Sequence, residues 1–213
     1  VDTSLGNVVL RPGFFLAGTV RRSSGSSVAG ADTDVFDGIT GDKLFTPNDN
    51  TSSNGVFLVV VPAGNYGVEV CPKPADLLVG KEVLGVAVTQ DTDVGAITLQ
   101  GGVVLSGTIR NSLGVPVPNA DVDLRSTATG ASIVLCFDNS SASGTYSVVV
   151  PTGTFDITYS PPGPGCSSNL GHDHDPGVVI SGNAVRNGIL APLPIPCSYG
   201  KGASAGAPSV TVE

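Results

Sequence analysis

The chain contains no methionine and no tryptophan, and only 5% of its residues are aromatic. So few rings count against a sugar-stacking surface, because carbohydrate sites lean on exposed aromatic faces. Methionine is missing even at position 1, where Val1 stands. The expectation is a processed N-terminus from which a secretion signal has been removed, and hence an extracellular or cell-surface protein. Charge is scarce, at 13% of residues, and the formal net charge is −8. No Lys/Arg cluster exists to release counterions from phosphate, which argues against a nucleic-acid partner. The same balance argues against an anionic membrane surface. No apolar run is long enough to cross a bilayer, so no membrane insertion is expected. No window carries an apolar face at helical spacing.

What remains is 40% apolar residues set between 29 Gly and 16 Pro. Short Val- and Thr-rich runs alternate with Gly, Pro, Asn and Ser, which is the pattern of an all-β chain with many turns. The chain also repeats itself. Leu16-Ala17-Gly18-Thr19-Val20-Arg21 returns as Leu105-Ser106-Gly107-Thr108-Ile109-Arg110. Gly18 to Gly107, Ala31 to Ala120 and Pro62 to Pro151 all give the same offset, since 107−18, 120−31 and 151−62 are each 89. A gapless register over that distance means one fold duplicated.

The expected organisation is an N-terminal joining strand (residues 1–12), a first β-sandwich (13–101), a second (102–196) and a C-terminal tail (197–213). Each body reads as about seven short strands, the signature of an Ig-like sandwich. Val56–Val61 and the run after Gly64 read as a hairpin turning at Pro62-Ala63-Gly64, and residues 39–46 read as a further strand. Phe57 and Tyr66 are placed in the core. The joining strand at residues 2–10, ending Val8-Val9-Leu10, returns at 91–99 and more loosely at 182–190. Three copies serve two bodies, so one is surplus. The tail carries another alternating segment, Val210-Thr211-Val212, after a Gly/Ala/Ser run.

The segments "LSGTIRNSLGVPVPNADVDL" and "SGTYSVVVPTGTFDITY" of the second body resemble the carboxypeptidase regulatory-like domain. That resemblance implies a transthyretin-like sandwich, export, and an accessory, structural or adhesive role rather than catalysis. Related collagen-binding-protein B-type domains often carry a Lys–Asn isopeptide bond. The first strand of each body here has Arg21, Arg22 or Arg110 and no Lys, so no such bond is expected.

Cys71, Cys136, Cys166 and Cys197 match no metal or redox spacing, and an even count in an exported chain favours disulfides. Three pairings are open. Cys166 with Cys197 is preferred because both flank the last strand, which leaves Cys71 with Cys136 as a link between the bodies. His172 and His174 share one side of an extended segment and form a two-ligand metal candidate without an evident third ligand. No metal and no cofactor is expected. Asp32/Asp34 and Asp121/Asp123 recur at the offset and read as the solvent face of a strand. Asn50 and Asn139 open matched glycosylation motifs, or serve turn chemistry.

The expected function is a non-enzymatic structural subunit of an extracellular filament or surface assembly. Head-to-tail copies of the chain would be joined by β-strand complementation, with Val8, Val9 and Leu10 or Val210, Thr211 and Val212 as the assembly strands. The alternatives are a secreted adhesion module for a glycan or surface protein, and a piece of a longer multi-repeat surface protein.

Overall fold

A computed structural model describes residues 12–163 and 168–194. Apart from a 3-10 turn at Pro74–Asp76, the regular elements among the described residues are strands. The first body holds β1 (Phe14–Arg22), β2 (Asp32–Asp37), β3 (Val56–Val61), β4 (Gly64–Cys71), β5 (Lys81–Val88) and β6 (Thr92–Leu99). The second holds β7 (Val103–Asn111), β8 (Asp121–Ser126), β9 (Thr145–Val150), β10 (Gly153–Ser160), β11 (Asp173–Ile180), β12 (Ala184–Val185) and β13 (Gly188–Leu190). Strands β7 to β10 begin 89 residues after β1 to β4. The register then slips to 92 at β11 (173−81), because the β10–β11 connection has three extra residues.

Each body is two sheets closed on one core. In the first, β3-β1-β6 faces β2-β4-β5. Strict alternation makes this possible: β3 buries Phe57, Val59 and Val61 and turns Val56, Leu58 and Val60 outward. Phe57 and Tyr66 are both buried, as the sequence implied. The second core is separate, built on Leu105, Ile109, Leu124, Tyr146, Ile157 and Tyr159 among others. Each such fully buried side chain contributes about 1.5–3 kcal/mol.

The closing strand of each body lies parallel to its opening strand. β6 pairs with β1 from Leu16↔Thr92 to Arg22↔Leu99, and β12 and β13 pair in the same sense with β7. Thus the second and third copies of the joining strand are consumed by their own bodies. The first copy, residues 2–10, lies outside the described residues.

Two expectations are corrected. Residues 56–71 are not a hairpin: β3 bonds to β1, and β4 bonds to β2 and β5 in the opposite sheet. Pro62 is an arch between sheets, where its missing N–H costs no ladder bond. The run 39–46 is not a strand but a loop with one isolated bridge, Phe36↔Lys43. The Asp37 carboxylate turns the chain by accepting the N–H groups of Ile39 (2.8 Å) and Thr40 (2.9 Å), and Ile39 and Phe45 stand exposed.

The two cores are filled differently at one matched place. Val20 pairs with Ile97 in the first body, and its counterpart Ile109 pairs with Gly188 in the second. The missing side chain is replaced by the Tyr159 ring, standing where the first body has Val70. A Cβ on Gly188 would lie 2.6 Å from Tyr159 Cγ. Tyr159 leans on Tyr146, with ring centroids 6.0 Å apart, and the Tyr146 hydroxyl donates to the Arg186 carbonyl at 2.9 Å. That carbonyl drops between β12 and β13 onto Gly107, where a Cβ would meet it at 1.6 Å. The Asn187 side chain makes up a lost ladder bond by accepting Thr108 N–H at 2.9 Å.

Gly188→Val is expected to destabilise the protein by about 2–3 kcal/mol through overpacking, and Tyr159→Val added to it to recover much of that loss. Chemical denaturation of the single and double variants measures the coupling; additive effects would contradict the volume exchange.

Candidate functional site

The most concentrated polar chemistry sits on the outer face of β2. Asp32 and Asp34 project from that strand on the side opposite the buried Thr33 and Val35. Asp49, in the β2–β3 connection, folds back beside them, and carboxylate oxygens of all three lie within 4.8 Å of one another. Asp49 is held there twice. The Thr46 hydroxyl donates to Asp49 Oδ2 at 2.8 Å, and the buried Thr33 hydroxyl donates to the Asp49 carbonyl. Burial, then the neighbouring Asp34 and Asp49 charges, raises the pKa of Asp32. Lys43 answers this charge. Its Nζ lies 2.6 Å from Asp34 Oδ1, and the hydrogen bond to Asp34 leads the interactions that raise its own pKa. Three clustered carboxylates are hard oxygen ligands suited to a divalent cation. In this body the Lys43 ammonium already supplies a positive charge.

The second body repeats the acids and omits the lysine. Asp121, Asp123 and Asp138 stand 89 residues after Asp32, Asp34 and Asp49 (138−49 = 89), and Ser132 stands in place of Lys43. Burial, then the Asp121 charge, pushes the Asp138 carboxyl up to about 6. Asp123 is also raised by burial and by Asp121, with His172 opposing. A polar cavity of about 390 Å³ opens here, lined by Asn119, Asp121, Asn139, Ser160 and His172 among others. Across the same sheet face, His172 Nδ1 lies 3.0 Å from Ser160 Oγ and His174 Nδ1 lies 3.4 Å from Thr158 Oγ1. Both imidazoles are therefore engaged with β10 hydroxyls. Among the described residues they join no group of three metal-ligating side chains.

The second distinctive place is the joint between the bodies. Cys71, the last residue of β4, is disulfide-bonded to Cys136 in the β8–β9 connection, with Cα atoms 5.6 Å apart. Only residues 100–102 otherwise separate β6 from β7. Backbone bonds brace that linker: Val79 N–H donates to Gln100 O at 2.9 Å, and Gly102 N–H donates to Leu77 O at 2.8 Å. Arg22 clamps the 3-10 turn through Asp76 at 2.5 Å. Pro72, Pro74 and Leu78 of the first body line a small pocket together with Ser147 and Val149 on the outer side of β9.

No protein-family model matches the chain, and no curated protein matches it. Among solved structures it is similar to the shaft pilin spaA of Lactobacillus rhamnosus GG, with a TM-score of 0.36 and 7% identity over 86% of this chain and 99% of that one. It is similar to a streptococcal ancillary pilin, with a TM-score of 0.35 and 11% identity over 86% of this chain and 63% of that one. It is similar to the Bacillus anthracis TIE protein, with a TM-score of 0.33 and 14% identity, covering 85% of this chain but only 34% of that one. The chain thus spans about a third of that protein's chain. These are distant likenesses of a β architecture.

The remaining residues singled out in the sequence fall as follows. Asn50 and Asn139 are exposed. The residue after each is buried and structural: Thr51 Oγ1 accepts Ala31 N–H and donates to Val28 O, both at 2.8 Å. Ser140 does the same with Ala120 N–H (2.9 Å) and Val117 O (2.7 Å). Cys166 and Cys197, and the assembly strands Val8, Val9, Leu10, Val210, Thr211 and Val212, lie outside the described residues. Sequence reading overlooked Asp49 and Asp138. The signal was present, because they recur at the same offset as the acids already noticed.

Two outcomes are expected. Asp138 has a folded pKa above its ordinary value, so folding favours its protonated form. Its contribution therefore weakens as pH rises from about 4 through 6. Asp138→Asn should stabilise the protein by about 1 kcal/mol at pH 7.5, allowing for solvent screening, and much less at pH 4. Thermal denaturation at both pH values measures this; equal effects would refute it. Cys71→Ser opens a disulfide loop of sequence separation 65. The expected loss, by calorimetry, is about 4 kcal/mol on the chain-entropy account.

Proposed function

We propose that the chain is a structural subunit of an extracellular surface assembly, with its bodies at residues 13–101 and 102–196 acting as tandem carboxypeptidase regulatory-like domains. Subunits join head to tail by strand complementation between copies. The observation that carries this reading is the occupancy of the two opening strands. β1 is flanked by β3 and β6, and β7 is flanked by β9 and by β12 and β13. Neither has a free side for the first copy of the joining strand, whose residues Val8 and Leu10 match Ile97 and Leu99. Because the next copy's β1 is flanked in the same way, joining by strand exchange requires residues 2–10 of one molecule to take the place of β6 on β1 of another. The first body is the acceptor type it fits, because Gly188 marks the spot where Tyr159 excludes a branched side chain in the second.

The role is mechanical. Backbone bonds and buried aliphatic side chains carry load between copies, and the Cys71–Cys136 bond carries it across the joint. Nothing in this reading requires a reaction. A specific observation favours a second reading, in which the chain is a piece of a longer repeat protein. In both described bodies the joining strand follows the body it closes and runs into a Gly- or Pro-bearing joint, which in the first body leads to the second. Residues 2–10 lead to β1 through Arg11-Pro12-Gly13 in the same manner.

Electron microscopy of untreated native material is expected to show filaments with a regular axial repeat. Monodisperse single particles at high concentration would overturn the assembly. A native mass well above 21.2 kDa per polypeptide would instead favour the longer repeat protein.

A further inference from the structure

The edge of β3 has a bonding capacity that can be counted. β3 lies at the end of its sheet, and among the described residues it pairs only with β1. The donation from Val20 N–H to Gly55 O at 2.7 Å sets the phase of that ladder. With the register Gly18↔Phe57 and Leu16↔Val59, the odd-numbered residues of β3 bond to β1. The backbone groups of Val56, Leu58 and Val60 therefore point to the open edge.

Both ends of this edge are already closed. Val56 N–H donates to Ser52 Oγ at 3.2 Å, and Val56 O accepts Ser52 N–H at 2.8 Å. Pro62 has no N–H, and its carbonyl accepts the Tyr66 hydroxyl at 2.9 Å. What is left open is the N–H and C=O of Leu58 and of Val60. That set is self-complementary. An antiparallel second copy placed with Leu58 opposite Val60 of its partner satisfies all four groups of each strand with four bonds. The two-fold axis then passes at Val59.

The side chains agree with the backbone. Leu58 and Val60 are 53% and 58% exposed, and Phe15, opposite Val60 on β1, is 49% exposed. β3 carries no charged side chain, proline or bulge to discourage pairing, although natural edges are usually protected by such devices. The duplication supplies the control. The matching positions on β9 are Ser147, polar and exposed, and Val149, which lines a small pocket together with Pro72, Pro74 and Leu78 of the first body. Val149 is only half-exposed in consequence. The repeated fold therefore does not need Leu58 and so exposed a Val60, and among the described residues the first body carries this face.

We propose that β3 is a self-association edge, pairing two copies of this chain antiparallel in the register Leu58↔Val60 about a two-fold axis. This goes beyond the head-to-tail reading and does not depend on it: an isologous contact closes on itself and links copies side by side.

The test uses full-length chains carrying Leu58→Cys or Val60→Cys, oxidised mildly and read on a non-reducing denaturing gel. A mixture of the two variants is expected to give the covalent dimer about 10-fold faster than either alone, since only the mixed pair lies at disulfide range. In sedimentation velocity, Leu58→Lys is expected to weaken dimerisation at least about 100-fold, because each ammonium stem would stand against the partner's apolar Val60, with the two like charges diagonal across the two-fold axis. At concentrations low enough for both proteins to be monomeric, its melting temperature should match the parent's, since residue 58 is exposed. Equal crosslinking of the mixed and single variants, or an undiminished dimer in Leu58→Lys, would overturn the proposal. Filaments without the mixed crosslink sink this edge alone, and the crosslink without filaments sinks the head-to-tail reading alone.

Discussion

Everything in this protein is arranged around the parallel seating of a closing strand beside an opening strand. β6 on β1, and β12 with β13 on β7, bring the last segment of each body back to its first. Parallel neighbours cannot be joined by a tight turn, so the intervening chain must cross over. Here it crosses by building the whole opposite sheet, β2-β4-β5 or β8-β10-β11, before returning. The core is then trapped between the first strand and everything that follows it. Because the closing strand runs straight into the next opening strand through residues 100–102, closure of one body also positions the next.

The two bodies show what duplication leaves free to vary. The inner faces keep their apolar alternation, while volume moves between partners: Val70 and Ile97 in one body become Tyr159 and Gly188 in the other. Close packing makes such exchanges coupled, because neither a void nor an overlap is tolerated cheaply. The outer faces keep their acids but change their cations. Lys43 is paired with Asp34 in the first body, and Ser132 replaces it in the second, where Asp138 holds its proton to about pH 6. Cys71 and Cys136 have no counterpart in the other body, since position 160 is Ser and position 47 is Pro. They tie the two units at the joint and play no part within either core.

Much of this was legible in the residues. Alternation in Asp32–Asp37 predicts its strand and buried face, because a side-chain period of two admits one solution when one face is dry, whereas Val56–Val61 is apolar throughout and only the placing of Phe57 in the core sets its inward parity. The constant offset predicts a second copy of each. The arch at Pro62 was not legible as such. A two-strand run across Pro-Ala-Gly has the same local pattern whether the strands pair with each other or with distant partners. Residues 39–46 misled for a related reason: Leu44 and Phe45 look like strand residues, but Asp37 holds Ile39 and Thr40 in a turn and the return against β2 is limited to short contacts such as Leu44 N–H to Val35 O. The acidic triad was half legible. Asp32 and Asp34 stand on one strand, whereas Asp49 joins them only because Thr33 and Thr46 fold a loop back.

By itself the sequence determined an all-β duplicated chain of low charge, with its buried faces and its surplus joining segment, because composition, periodicity and repetition are written along the chain. Only the tertiary structure decided which strands are neighbours, that Cys71 meets Cys136, and that among the described residues β3 ends its sheet with Leu58 and Val60 unpaired. Strand partnership is a long-range choice among segments of nearly equal local propensity, and it is settled by how two apolar faces close over a common core.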